Sequence, residues 1–177
     1  MEPEIENEHY MKMALDQARE AYDLGEFPVG CVIVYRNRIL VTGARTGTTD
    51  GTANETDHAE MVALRRLAKL PRIADPSNIS LYCTMEPCLM CYGAILLSGI
   101  GKIVYAYEDV MGGGTRCNLA TLSPLYATRQ IAIYPDILRD ESLELFKAFF
   151  QDPKNDYWRD SLLSEYTLRQ PSRSSAT

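Results

Sequence analysis

The stretch Ile79-Ser80-Leu81-Tyr82-Cys83-Thr84-Met85-Glu86-Pro87-Cys88-Leu89-Met90-Cys91 changes character midway. Ile79 to Thr84 is short and rich in β-formers, and reads as a strand. Pro87 suits the first turn of a helix, where its missing N–H costs nothing. That helix should run to Ser98 and stop at Gly99. Downstream, Lys102 to Tyr107 alternates as a strand, Arg129 to Tyr134 is a weaker one, and Ile137 to Phe150 is an amphipathic helix. Upstream, residues 9 to 24 place Met11, Ala14, Leu15, Ala18 and Tyr22 on one helix face, ended by Gly25 and Pro28. Val29 to Tyr35 and Ile39 to Thr42 flank Arg36-Asn37-Arg38 as a hairpin, and Arg45 to Asp57 is loop. His58 to Leu70 is helical, stopped by Pro71. Strands alternating with helices after an opening hairpin predict an α/β layered fold with a mixed sheet.

Two motifs sit at the junctions where helices begin. His58-Ala59-Glu60 opens one helix, and Pro87-Cys88-Leu89-Met90-Cys91 opens another. Cys88 and Cys91 are three apart, so they share a face and can reach one metal. The positive end of the helix dipole favours thiolate, the form that binds zinc. His58 at the other helix start can point to the same place. Two thiolates and one imidazole leave a tetrahedral position open, as a catalytic zinc requires. Glu60 lies off the face that carries His58, so its carboxylate suits a proton carrier beside the metal better than a ligand.

Taken singly, these motifs allow other readings. Asp57-x-x-Glu60 fits a helix capping box. Cys-x-x-Cys fits half of a structural zinc site, with His58 and Cys83 completing it. The joint pattern favours the catalytic reading. His9 reads as a surface residue, and Cys31 and Cys83 as buried small hydrophobes. Gly112-Gly113-Gly114 lacks the Lys-Ser/Thr of a phosphate loop and reads as a flexible segment. Arg65, Lys69 and Arg72 read as a solvated basic face.

The bulk numbers bound the partners. The chain has 177 residues, one domain by length, with 46% hydrophobic and 24% charged residues. Its formal net charge of -6 disfavours nucleic acid as a partner without excluding it. Five cysteines without a basic, apolar leader predict a cytoplasmic protein with metal-bound or buried thiols rather than a disulfide framework. No apolar run reaches the length of a membrane span.

At the His-Ala-Glu and Pro-Cys-x-x-Cys motifs the chain resembles the cytidine deaminase superfamily, whose zinc signature has this form. It is most similar to the branch holding tRNA adenosine deaminases and small guanine deaminases. The likeness spans about residues 9 to 150. Gly25-Glu26-Phe27-Pro28-Val29-Gly30-Cys31, His58-Ala59-Glu60-Met61, Thr84-Met85-Glu86-Pro87-Cys88, and Val104-Tyr105 with Asp109 carry it. The resemblance implies a three-layer α/β/α sandwich with a five-stranded mixed sheet, a homodimer, bound Zn2+, and backbone contacts to the reacting centre around Ala59 and Glu86. The expected reaction is hydrolytic removal of an exocyclic amine from a nucleobase.

Two departures bear on the substrate. The family usually has Asn after the second strand, where its amide contacts the base; here the aligned residue is Arg45, which has no acceptor. Bacterial tRNA deaminases tend to end in a basic helix, whereas Gln151 to Asp156 is mixed in sign. The expectation is therefore a small aminated heterocycle of guanine or cytosine type. The alternatives are a tRNA-specific adenosine deaminase acting at the wobble position, or a non-catalytic module that keeps zinc as a staple. Residues 1–153 are expected to form the deaminase domain. Residues 154–170 form a helical extension, with Trp158, Leu162 and Tyr166 at helical spacing, as a lid or dimer contact. Residues 171–177 form a disordered tail. Val29, Arg45, Ala59, Glu86, Asp109 and Trp158 are the candidate substrate contacts.

Overall fold

The computed structural model describes residues 3–49 and 54–171. Of the expected tail at 171–177, residues 172–177 lie outside them. The elements run α1 (Pro3–Asp23), β1 (Gly30–Tyr35), β2 (Arg38–Ala44), α2 (Ala59–Leu67), β3 (Ile79–Met85), α3 (Leu89–Leu97), β4 (Lys102–Tyr107), α4 (Pro124–Ala127), β5 (Ala132–Tyr134), α5 (Arg139–Gln151) and α6 (Leu162–Arg169). Helix α1 begins six residues earlier than its apolar stripe. Glu4 and Glu6 in its first turn complement the helix dipole there. Next to them Asn7 is buried, taking hydrogen bonds from Tyr82 and Lys102.

The five strands form one sheet in the order β2-β1-β3-β4-β5. Strand β1 runs antiparallel to β2 and β3, while β3, β4 and β5 are parallel. Arg36 and Asn37 form the two-residue hairpin loop with φ of 49° and 60°, the primed turn that matches strand twist. Helix α1 lies on one sheet face, over Val32, Val34, Tyr82, Val104 and Ala106. Helices α2 and α3 cover the other, over Cys31, Ile33, Leu81, Cys83, Ile103 and Tyr105. Helix α5 packs beside α1 and is tied to β3 by Ser142, whose hydroxyl donates to the Thr84 carbonyl at 2.6 Å. The three-layer arrangement and the mixed sheet match the expectation.

Helix α2 can sit this close to the sheet because Gly43 has no side chain. A Cβ there would lie 2.2 Å from the Ala59 carbonyl oxygen. The C-terminal chain folds back onto the same core. Leu163 is buried, the Tyr107 and Thr167 hydroxyls pair at 3.1 Å, and Tyr166 donates to Glu108 at 2.7 Å. Arg139 donates to the same Glu108 through Nε at 2.8 Å. Trp158 does not join the helix, contrary to its spacing. Trp158 and Asp160 take left-handed φ of 57° and 61°, so the chain turns sharply before α6 begins.

Candidate active site

The sheet's mixed topology brings the two motif-bearing helix starts side by side. His58 is the N-cap of α2 and Cys88 the N-cap of α3, both with extended backbone, and Cys91 follows in the first turn. His58 Nδ1 lies 3.5 Å from Cys88 Sγ and 3.5 Å from Cys91 Sγ. A tetrahedral zinc with ordinary Zn–S and Zn–N bonds has N···S edges of about 3.5 Å. The triad therefore fits the metal without rearrangement. Among the described residues it is the one cluster of potential ligands, with all three atoms within 4.8 Å of one another. Cys83 is not in it. Cys83 is buried opposite Cys31 in the β1/β3 pair, and both thiols are pushed up by burial. A four-ligand structural site built on Cys83 is therefore absent.

The charges in the cluster are coupled. A hydrogen bond with Cys91, seconded by one with His58, holds the Cys88 thiol down at about 4 although burial opposes it. The same bond, with burial, pushes Cys91 up. Burial pulls the His58 imidazole down, but Cys88 and Glu60 outweigh it and its basicity rises. Glu60 is 3% exposed, and burial pushes its carboxyl up, partly offset by His58. A buried carboxyl beside this triad is placed to take and return a proton. The capping-box alternative for Glu60 is not realised. The α2 N-cap is His58, and Asp57 is engaged by Arg65 and Asn54 instead. Arg65 is exposed while it makes that pairing, and with exposed Lys69 and Arg72 it forms the expected solvated basic face.

A cavity of about 130 Å³ opens from this cluster. His58, Glu60 and Cys88 line it, as do all six candidate contacts: Val29, Arg45, Ala59, Glu86, Asp109 and Trp158. Tyr157 and Leu163 close it from the C-terminal side. Glu55 and Met111 also border it, and nothing in the periodicity of their loops marks them. Arg45 is 2% exposed. Its Nη1 donates to the carbonyls of Thr46 at 2.8 Å and Asn54 at 2.7 Å. Its Nη2 faces Glu55 Oε2 at 3.4 Å and the Tyr157 hydroxyl at 3.3 Å. The Glu86 carboxylate accepts the backbone N–H groups of Asp109 at 3.2 Å and Thr115 at 3.3 Å. Asp109 accepts from Met111 at 3.0 Å and Gly112 at 2.8 Å. The glycine run is correspondingly tight rather than loose. A Cβ on Gly113 would lie 2.6 Å from the Glu86 carboxyl carbon, and one on Gly114 2.7 Å from Leu89 Cα.

Residues 4–107 match the cytidine and deoxycytidylate deaminase zinc-binding region. A tRNA-specific adenosine deaminase of Rickettsia typhi is 34% identical over 141 residues, which span 80% of this chain and 95% of the relative. A solved structure from work on A-to-I editing by tRNA:A34 deaminases at the wobble position is 28% identical. It aligns with a TM-score of 0.63 over 77% of this chain and 98% of its own. The guanine deaminase of Nitrosomonas europaea shares the fold at a TM-score of 0.60 and 21% identity, over 80% of this chain and 83% of its own. With its metal triad and Glu60 inside the matched region, the chain belongs to the cytidine and deoxycytidylate deaminase family of zinc-dependent hydrolytic deaminases.

Proposed function

We propose that this deaminase acts on a small aminated heterocycle, a free base or nucleoside of guanine or cytosine type. The observation that carries this reading is the cavity. It is small, and its outer wall is made by the chain's own Tyr157, Trp158 and Leu163, all beyond the family match at residue 107. Drug-sized ligands occupy pockets of roughly 300–1,000 Å³, so about 130 Å³ suits a single ring system, and the wall of Tyr157, Trp158 and Leu163 favours one that is not part of a polynucleotide.

In this reading His58, Cys88 and Cys91 hold Zn2+, which when bound makes water nucleophilic at neutral pH. Glu60 takes a proton from the water as its oxygen attacks the amine-bearing ring carbon. Glu60 returns that proton to the ring nitrogen, then carries the remaining hydroxyl proton to the departing amine. One C–O bond forms, one C–N bond breaks, and ammonia leaves. Ala59, at the N-terminus of α2, offers backbone to the reacting centre. Glu86 and Asp109 shape the opposite wall. Trp158 presents an aromatic face at the mouth. A buried Glu60 has no use in a zinc-stapled binding module, which counts against that alternative. The reading includes a cytoplasmic homodimer. The free thiols agree with the location, and no helix among the described residues is long and apolar enough to cross a membrane.

Sequence likeness to the Rickettsia relative favours a second reading, adenosine-to-inosine conversion in tRNA. The two separate in one assay. Zinc-loaded protein is given guanine, cytosine, adenine, their nucleosides and an anticodon stem-loop, with ammonia and inosine quantified. Turnover of a small base or nucleoside is expected. Inosine in the stem-loop with no small-molecule turnover overturns the proposal.

A further inference from the structure

We infer that Arg45 and Tyr157 form an oxygen-selecting end of the cavity, so that the substrate is an aminated heterocycle carrying a ring oxo group and adenine-type bases are rejected. This rests on the small-substrate reading above and names its chemistry.

The guanidinium of Arg45 is used asymmetrically. Nη1 spends both of its hydrogens on the Thr46 and Asn54 carbonyls at good distances, which fixes the plane of the group. Nη2 is left with two long contacts, 3.4 Å to Glu55 and 3.3 Å to Tyr157, both of which line the cavity. These lie beyond the usual 2.7–3.2 Å range for N–H···O bonds. The Tyr157 ring also covers the guanidinium, at 5.7 Å from its carbon to the ring centroid. A buried donor held this way gains most from a well-placed acceptor in the cavity.

Glu55 now supplies that acceptor. Tyr157 donates to its Oε2 at 2.8 Å, and the same oxygen faces Arg45. The Glu55 side chain is 51% exposed while that of Arg45 is 2% exposed. Glu55 can therefore swing out to water, whereas Arg45 cannot leave. A substrate oxygen entering the cavity takes the place of the Glu55 carboxylate between Nη2 and the Tyr157 hydroxyl.

The incoming group is a neutral carbonyl rather than an anion. Glu55, Glu60, Glu86 and Asp109 line the cavity against the single guanidinium, so a phosphate or carboxylate would meet net repulsion. Arginine offers donors only. A ring carbonyl satisfies it, whereas adenine, with its one exocyclic amine at the reacting centre, has no oxo group to offer there. Guanidinium contacts accordingly favour the oxo edge of guanine, while amide side chains suit adenine.

The test uses the zinc-loaded full chain and two matched pairs. Guanine is compared with 2-aminopurine, and cytosine with 4-aminopyrimidine; each partner keeps the leaving amine and lacks the oxygen. Binding is followed by calorimetry, and turnover by ammonia release. The oxo member of a pair should be preferred roughly 10- to 100-fold in Kd or kcat/KM, the scale of one hydrogen bond to a charged group. Arg45→Met should erase the preference. Tyr157→Phe, which removes one hydroxyl and keeps the ring, should lower it several-fold should the first variant not fold. Equal treatment of both members of each pair overturns the inference. A preference in binding with no turnover of any base keeps the inference and overturns the small-substrate deaminase reading.

Discussion

The Glu86 carboxylate holds Thr115, 29 residues downstream, by accepting its backbone N–H at 3.3 Å and its hydroxyl as well. Glu86 is 4% exposed, so these bonds lie in a medium where an unpaired donor is costly. Replacing Glu86 by Ala leaves the Asp109 and Thr115 donors without an acceptor and frees the cavity wall they belong to. The expected loss is about 2–4 kcal/mol of stability, read as a lower urea midpoint. Glu86→Gln, which retains one acceptor oxygen, should lose less.

Glu60→Gln should reduce kcat by about 10²–10⁴, the range for a lost general acid–base, while leaving zinc content at one ion per chain. Elemental analysis of the purified variant beside its ammonia-release rate separates the two effects. Retained activity would mean that the proton carrier is another group.

The contact between β2 and α2 couples packing to chemistry. Gly43→Ala forces a methyl group into the Ala59 carbonyl and pushes on the helix whose first turn carries His58 and Glu60. We expect about 1–3 kcal/mol of destabilisation together with a lower kcat. Gly93→Ala on α3 is the control. Its Cβ meets nothing within 4 Å, so helix propensity alone should make it neutral or up to about 1 kcal/mol more stable.

Acid should loosen the C-terminal wall. Burial would raise the Glu108 carboxyl, but hydrogen bonds from Arg139 and Tyr166 outweigh it and hold the group below its ordinary value of 4.5. A carboxyl depressed on folding contributes stability above its unfolded value, and that contribution is lost as pH falls through the folded value. Thermal melts should therefore drop between about pH 5 and pH 3 in the wild type. Glu108→Gln should melt lower at neutral pH and show a flatter acid limb. An unchanged limb would show that another carboxylate governs it.

Trp158 is 40% exposed, so its ring contributes little to the core. Trp158→Ala should raise KM for a heterocyclic substrate roughly tenfold, as for the loss of one stacking face, with little change in Tm. A large fall in Tm with unchanged KM would make the ring a packing element instead.

Much of this protein could be read along the chain. The switch from a β-rich run to a Pro-initiated helix at Ile79 to Cys91 defines β3 and α3, and local backbone preferences suffice for it. The meeting of His58, Cys88 and Cys91, with Glu60 in the same cavity, was legible because short fixed spacings set these residues at helix starts. Folding was needed for everything that depends on distant segments meeting. Helical spacing placed Trp158 on a helix, yet two left-handed residues turn the chain there to cap the cavity. The glycine run looked loose, yet Glu86 and Leu89 leave no room for side chains at Gly113 and Gly114. The use of Arg45 depends on Tyr157, 112 residues away, and on Glu55 in an irregular loop. Periodicity reports which face of an element is buried; it carries no information on which loops converge once the sheet is assembled, and that convergence decides what the cavity accepts.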